Sequence, residues 1–403
     1  MEPTRSALGV REVTMEEDMR TNKRLVLLIA LLMALAACTE AVDTTTTTAT
    51  EEPAGTGEST STTTGGGATT TTAEGTPVAG LLAEVQSRGS LLCGVNNAVP
   101  GFGFVDTAGE HTGFDIDFCR AIAAGVLGDP DAVEFVDLTA EQRFTALQAG
   151  EIDVLVRNTT FTSSRDGSLA ATFLTTTFYD GQGMMVAADS GFTSIDDMTD
   201  TSICVLSGTT TELNLTTRMA GISYTPLTFD ENPQIQAAFI EGQCDGWTSD
   251  KSQLAGVRSA WPEDQGGPEA LVILEETFSK EPLGPAVLDG DSQWAQAVDW
   301  IILATIQAEE FGIDSTNVGT FTDTEDAGIR NFLGLEVTTD AGTAPFDPGL
   351  GLPTDFAGTV IAAVGNYGEI YDRNVGPDTP LGLDRGVNAL WTDGGLLYAP
   401  PYR

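Results

Sequence analysis

The sequence predicts an α/β protein built from two sheet-containing units, and three observations carry that prediction. Between residues 91 and 156, short apolar strands alternate with helical stretches, the pattern of a mostly parallel sheet with helices on its faces. The same alternation restarts between residues 203 and 249. The chain has 403 residues, 41% of them hydrophobic, a length at which two cores are the usual arrangement.

Ahead of these units, Lys23-Arg24 precede a wholly apolar run from Leu25 to Ala37. Thirteen helical residues span about 20 Å, too short to cross a bilayer, so the run reads as the core of a signal peptide. It ends in Leu35-Ala36-Ala37-Cys38, which resembles the bacterial lipobox, where small residues fit the peptidase groove and the cysteine is lipidated. Residues 1–37 are therefore read as a lipoprotein signal, with Met19 as the expected start because Glu16-Glu17-Asp18 suit export poorly. Residues 38–77 are rich in Thr, Gly and Glu and lack hydrophobic periodicity, as in a tether that cannot offset its own ordering entropy.

The folded body begins near residue 78. Leu91–Val95 reads as a strand, and Phe114 opens a helix with apolar residues at 114, 118, 121, 122 and 126. Asp115 falls in its first turn, where a carboxylate suits the helix dipole. Val133–Leu138 and Ile152–Val156 are further strands around a helix that stops at Gly150. In the second unit Ile203–Leu206 is a strand, and Thr209 with Glu212 three residues on is a capping box opening a helix. Pro226–Phe229, a helix from Pro233 to Glu241, and Gly246–Ser249 complete that unit, and a long helix follows from Trp294. Phe356–Gly365 is helix-like within a C-terminal segment expected to pack on the first unit.

Composition excludes several functions. Basic residues number 18 against 59 acidic ones, a formal net charge of −41, whereas nucleic-acid binding depends on lysine and arginine. His111 is the only histidine, so a histidine-based metal cluster is excluded and a histidine-dependent nucleophile disfavoured. After Cys38, four cysteines remain, Cys93, Cys119, Cys204 and Cys244, with three connectivities. An extracytoplasmic chain should pair them. Proximity in sequence favours Cys93–Cys119 and Cys204–Cys244, each worth roughly 3.5–4 kcal/mol at most by the loop-entropy relation. No C-x-x-C spacing supports zinc.

Several longer stretches occur together in one order: Gly113–Ala124, Glu141–Asp166 with its Arg157-Asn158-Thr159-Thr160-Phe161-Thr162-Ser163-Ser164-Arg165-Asp166, Tyr179–Val186, Cys204–Leu215, Lys280–Ala286, Ala363–Tyr371 and Gly386–Tyr402. From about residue 90 onward the chain thus resembles the general L-amino-acid-binding lipoproteins of bacterial ABC importers, a branch of the type II periplasmic binding proteins. The resemblance implies an α/β fold of two lobes joined by two crossing strands, with a C-terminal extension and cysteines paired within lobes. The expected boundaries are 78–187 and 282–403 for the first lobe and 188–281 for the second, with crossings near Gly183–Ala188 and Lys280–Ala286.

It also implies a receptor on the outer face of the cytoplasmic membrane. That receptor would capture a free L-amino acid without cofactor or metal and deliver it to permease subunits with their ATPase. Arg165 matches the carboxylate clamp, because guanidinium donates two parallel hydrogen bonds; the blander reading is a surface arginine paired with Asp166. Thr160 matches a ligand-touching hydroxyl and Asn158 a carbonyl facing the ammonium. From the second lobe, Thr209 and Thr210 should offer backbone N–H groups at a helix N-terminus, and Asp250 should grip the ammonium. Asn96 is expected at the ligand, and Phe102 over its aliphatic part, with a core position as its alternative. Asn97, Leu206 and Ser249 complete the side-chain surroundings. No second cation is expected at the site, and a lone buried carboxylate is costly, so neutral polar or broad selectivity is the expectation. The competing classes are a dehydratase-like enzyme, for which Asp250 and His111 would be the candidate acid and base, and a sensory ectodomain.

Overall fold

The computed structural model describes residues 80–339 and 342–403; the signal segment, Cys38 and the tether lie outside them. Two five-stranded sheets organise the fold. In the first, Leu91–Val95 runs parallel to Val133–Asp137 on one side and Val154–Leu155 on the other. Ala286–Leu288 then runs antiparallel to both Val154–Leu155 and Ala171–Phe173. In the second, Thr201–Leu206 is parallel to Tyr224–Phe229 and Gly246–Asp250. Gln182–Ala187 lies antiparallel between Gly246–Asp250 and Leu271–Ile273.

Each sheet therefore contains one reversed strand, and both reversed strands follow a crossing between the lobes. The crossing ribbon is Phe178–Asp180 paired antiparallel with Glu281–Leu283. It delivers the chain to the carboxyl edge of each sheet: Gln182 pairs with Asp250, and Ala286 with Leu155. A chain entering at that edge can only run back toward the amino ends of its neighbours. This corrects the expected crossing at Gly183–Ala188, because Gly183 to Ala187 pair inside the second sheet. The second lobe thus starts near Gln182, not at residue 188.

Side-chain alternation serves both faces of the second sheet. Ile203 and Val205 join one apolar cluster, Cys204 and Leu206 the other. The first lobe's core is larger and is centred on the helix Phe114–Leu127, of which twelve residues are buried. Gly125 allows the helix Ser292–Glu310 to come close, since a Cβ there would sit 2.6 Å from Ile301. Cys93–Cys119 ties the first strand to this helix, and Cys204–Cys244 ties two parts of the second lobe, with Cα separations of 6.1 and 5.7 Å.

The C-terminal extension packs on the first lobe. The helices Phe356–Val364 and Tyr367–Asn374 and the terminal Tyr402 enter the same core. It also reaches the crossing ribbon. Asn388 accepts a hydrogen bond from the Tyr179 N–H at 2.7 Å and donates one to the Tyr179 carbonyl at 3.1 Å, acting as a neighbouring strand would. The Tyr367 hydroxyl donates to the Thr177 carbonyl at 2.8 Å.

Candidate ligand site between the lobes

Four of the expected site residues lie at the carboxyl ends of parallel strands, where open α/β sheets place their ligands. Asn96 follows Leu91–Val95, Asn158 follows Val154–Leu155, Leu206 ends its strand and Asp250 ends Gly246–Asp250. The lobes meet across this edge. Thr160 and Thr210 hydroxyls lie 3.2 Å apart, Asn158 donates to Gln253 at 3.1 Å, and Arg143 donates to the Gly208 carbonyl at 3.2 Å. Glu141 and Ser207 are also hydrogen bonded.

The loop carrying Asn158 and Thr160 is held from several directions. Asn158 has φ +31°, an uncommon backbone for a non-glycine residue. Its N–H donates to Asp115 at 2.7 Å, so the carboxylate in the first turn of Phe114–Leu127 also positions this loop. Burial pushes Asp115 up to about 6, against the Asn158 hydrogen bond and the nearby Arg157 charge. The Phe161 N–H donates to Pro282 and the Gly284 N–H to Thr159, which straps the loop to the returning crossing strand.

Arg165 sits in the short helix Ser163–Ser168, whose Thr162 hydroxyl caps its backbone N–H at 3.2 Å. Its Nη1 donates to the Thr160 carbonyl at 2.9 Å, and its guanidinium lies 5.4 Å from the Phe144 ring centroid. Burial lowers its pKa while Asp250 and Glu281 support the charge. It is not a surface arginine: its described polar contacts point inward and none involves Asp166.

On the second lobe, Gly208 takes φ +69°, and a Cβ there would come within 2.9 Å of Glu141 across the cleft. Thr209 then caps the helix Thr210–Arg218 by accepting from the Glu212 N–H at 3.1 Å. The expected capping box is only half formed, because Glu212 accepts from the Gly208 N–H rather than from Thr209. The backbone N–H groups of Thr209 and Thr210 consequently have no acceptor among the described hydrogen bonds.

Two buried groups of opposite charge each carry an atom without a hydrogen-bond partner. Asp250, 5% exposed, has an Oδ1 with no hydrogen bond, and Arg143, 3% exposed, has an Nε with none. Burial raises the Asp250 pKa well above the carboxylate range, and Asp180 and Glu281 raise it further against Arg143 and Arg165. Burial lowers Arg143, with Arg165 and Arg157 repelling it. Unpartnered buried charge is costly and rare in a finished structure.

Sequence reasoning missed Arg143 and its neighbour Arg157. Arg157 is 6% exposed, and burial lowers it to about 10. The expectation of no second cation is thereby corrected: three buried guanidinium groups are clustered here. Arg143 stands one residue before Phe144 on a helix, and only the folded chain brings it beside Arg165.

Two cavities flank the cluster. One of about 490 Å³ is lined by Arg165, Thr209 and Thr210. The other, of about 280 Å³, is lined by Asn96, Asn97, Leu206 and Arg157. Asn96 donates to Asn158 at 3.3 Å, linking the second cavity to the cluster. Ser249 is buried in the strand beside Asp250. Phe102 is buried against Phe114 and Phe178, with centroids 5.8 and 5.1 Å away, and these described contacts are core contacts. His111 lies 2.8 Å from Asp137, a residue lining the smaller cavity, and no metal-holding group of side chains occurs among the described residues.

Residues 91–312 match the bacterial extracellular solute-binding proteins, family 3. The chain belongs to this family. The general L-amino acid-binding periplasmic protein AapJ of Rhizobium johnstonii is 46% identical over 324 residues, 80% of this chain and 92% of the relative. The glutamate/glutamine/aspartate/asparagine-binding protein BztA of Rhodobacter capsulatus is 45% identical, over 82% of this chain and 95% of its own. A periplasmic binding protein from Brucella ovis, solved with glutathione bound, superposes with a TM-score of 0.76 at 44% identity. That match covers 81% of this chain and 100% of the Brucella one. The two-lobed fold of type II periplasmic binding proteins accounts for the paired sheets and the crossing ribbon. No described helix is long and apolar enough to cross a membrane.

Proposed function

We propose that this family 3 member is an extracytoplasmic receptor that captures a free L-amino acid between its lobes and delivers it to an ABC-transporter permease. One observation carries the reading. Buried groups of opposite charge, Asp250 on one lobe and Arg165 with Arg143 on the other, converge where the lobes meet, each with hydrogen-bonding capacity to spare. An α-amino acid presents a carboxylate and an ammonium on one carbon, so it matches both. The carboxylate goes to Arg165 and to the N–H groups of Thr209 and Thr210, with the Thr160 hydroxyl beside them. The ammonium goes to Asp250 and the Asn158 carbonyl. Asn96, Asn97, Leu206 and Ser249 surround the ligand's side chain.

Neither lobe alone satisfies both ends of the ligand, so binding favours the closed state by its differential affinity for it. Arg143 and Arg157 remove the objection to acidic side chains, and selectivity should extend to them. The names of AapJ and BztA support that breadth. The relatives are binding proteins and not enzymes, which favours transport over the dehydratase and sensor readings. Calorimetry against the twenty L-amino acids should give saturable one-to-one binding by at least one, recovered unchanged. Absence of binding by all twenty would refute the proposal.

The receptor is further proposed to be held at the membrane by a lipid on Cys38, on the strength of the Leu35-Ala36-Ala37-Cys38 ending. Cys38→Ser should move the protein from the membrane fraction to the soluble one. An intact mass retaining residues before Cys38 in the native protein would rule the anchor out.

A further inference from the structure

The cavity of about 280 Å³ is too well equipped for a single amino-acid side chain. Its volume approaches the lower end for pockets that enclose a whole small ligand. Both lobes build it: Asn97, Asp137 and Arg157 come from the first, Leu206, Asp230 and Glu231 from the second. Arg157, almost fully buried, uses its Nε on the Leu138 carbonyl at 2.7 Å. Its two Nη groups have no acceptor among the described hydrogen bonds. Asp137 is already engaged, with His111 at 2.8 Å and Asn97 at 3.1 Å. The carboxylates of Asp230 and Glu231 have no described hydrogen bond or ion pair, and both residues are exposed. The cavity thus holds a buried guanidinium and, across it on the other lobe, two uncommitted carboxylates.

We propose that this cavity is a subsite for a second charged head, so that the receptor also takes elongated amino-acid derivatives carrying an ammonium and a carboxylate at their far end. The inference rests on the amino-acid reading above. With the first head held by Arg165 and Asp250, the far end passes Asn96, which links the two regions through its hydrogen bond to Asn158. The distal carboxylate meets Arg157, and the distal ammonium meets Asp230 and Glu231. Because the two walls belong to different lobes, the second head adds contacts to the closed state only.

A series of probes with closely matched chains tests this by calorimetry. L-Norleucine has no second head, L-lysine has the ammonium, L-2-aminoheptanedioate has the carboxylate, and L,L-2,6-diaminoheptanedioate has both. The last should bind at least tenfold more tightly than norleucine. The double variant Asp230→Asn, Glu231→Gln should abolish the advantage of lysine and leave norleucine unchanged. Arg157→Gln should abolish that of 2-aminoheptanedioate; since Arg157 is buried, its melting temperature is compared with wild type, and the double variant keeps the test independent of it. If diaminoheptanedioate binds no more tightly than norleucine while any of the twenty amino acids binds, the second-head subsite is refuted and the amino-acid reading stands. If neither the probes nor the twenty amino acids bind, both readings fall together.

Discussion

Replacing Arg165 by alanine should weaken binding of every amino acid at least tenfold while leaving the fold intact. The guanidinium is the group best placed to pair with the common carboxylate, so the loss does not depend on the ligand's side chain. Truncating one partner of a desolvated, hydrogen-bonded charge pair costs roughly 2–5 kcal/mol, or about 30-fold to several thousand-fold in affinity. The protein loses the bond to the Thr160 carbonyl and the stacking on Phe144 as well. Circular dichroism and a thermal melt separate those losses from the binding effect. An affinity equal to wild type in the folded variant would move the carboxylate site away from Arg165.

Asp250→Asn should weaken binding by a comparable factor and, unlike Arg165→Ala, raise the stability of the ligand-free protein. Asp250 is buried with Asp180 and Glu281 nearby and one oxygen unpartnered, and its pKa is raised. A carboxyl with a raised folded pKa binds more protons in the folded than in the unfolded state. Its contribution is fully present below the ordinary carboxylate range and is lost as pH rises through the folded pKa. At neutral pH the wild type therefore carries a cost that asparagine removes, and the free variant should melt at a higher temperature. Ligand affinity has the opposite dependence. The ammonium needs the ionised carboxylate, so binding expels a proton below the raised pKa, and wild-type affinity should increase with pH through that window. The variant should show a flat profile there. A lower melting temperature of the free variant at neutral pH, or an unchanged pH profile of affinity, would contradict this account of Asp250.

Much of the fold was legible because helices and strands announce themselves locally. The period of Phe114, Phe118, Ala121 and Ile122 located a helix observed over Phe114–Leu127, and the run Leu91–Val95 was a strand with those bounds. Strand direction was not legible. Gln182–Ala187 looks like any apolar strand, yet it runs against its neighbour Gly246–Asp250 because the crossing delivers it to the carboxyl edge. The helix Lys251–Ser259 gave little sequence signal, since it starts directly after a strand and carries a mid-helix glycine. That glycine is required by tertiary packing: a Cβ on Gly256 would lie 2.3 Å from the Pro100 carbonyl oxygen.

By itself the sequence determined the class of this protein. Alternating strands and helices, four cysteines that pair within their own stretches, one histidine and an ordered set of long motifs bound the fold and the chemistry. The position of Thr209 at a helix start could be read from local order alone, whereas Arg165 and Asp250 were marked as site residues by the motifs that carry the family resemblance. Only the tertiary structure decided which other charges share that site. Arg143 precedes Phe144 on a helix and Arg157 lies two residues beyond the strand Val154–Leu155, and nothing in their neighbourhoods marks them as partners of residues up to 107 positions away. It likewise decided that the C-terminal extension braces the crossing ribbon through Asn388, 209 residues from Tyr179. The physical reason is the same in each case. Periodicity and capping are set by a residue's immediate neighbours, whereas burial, field and hydrogen-bond partnership are set by whichever distant segments the closed core brings alongside.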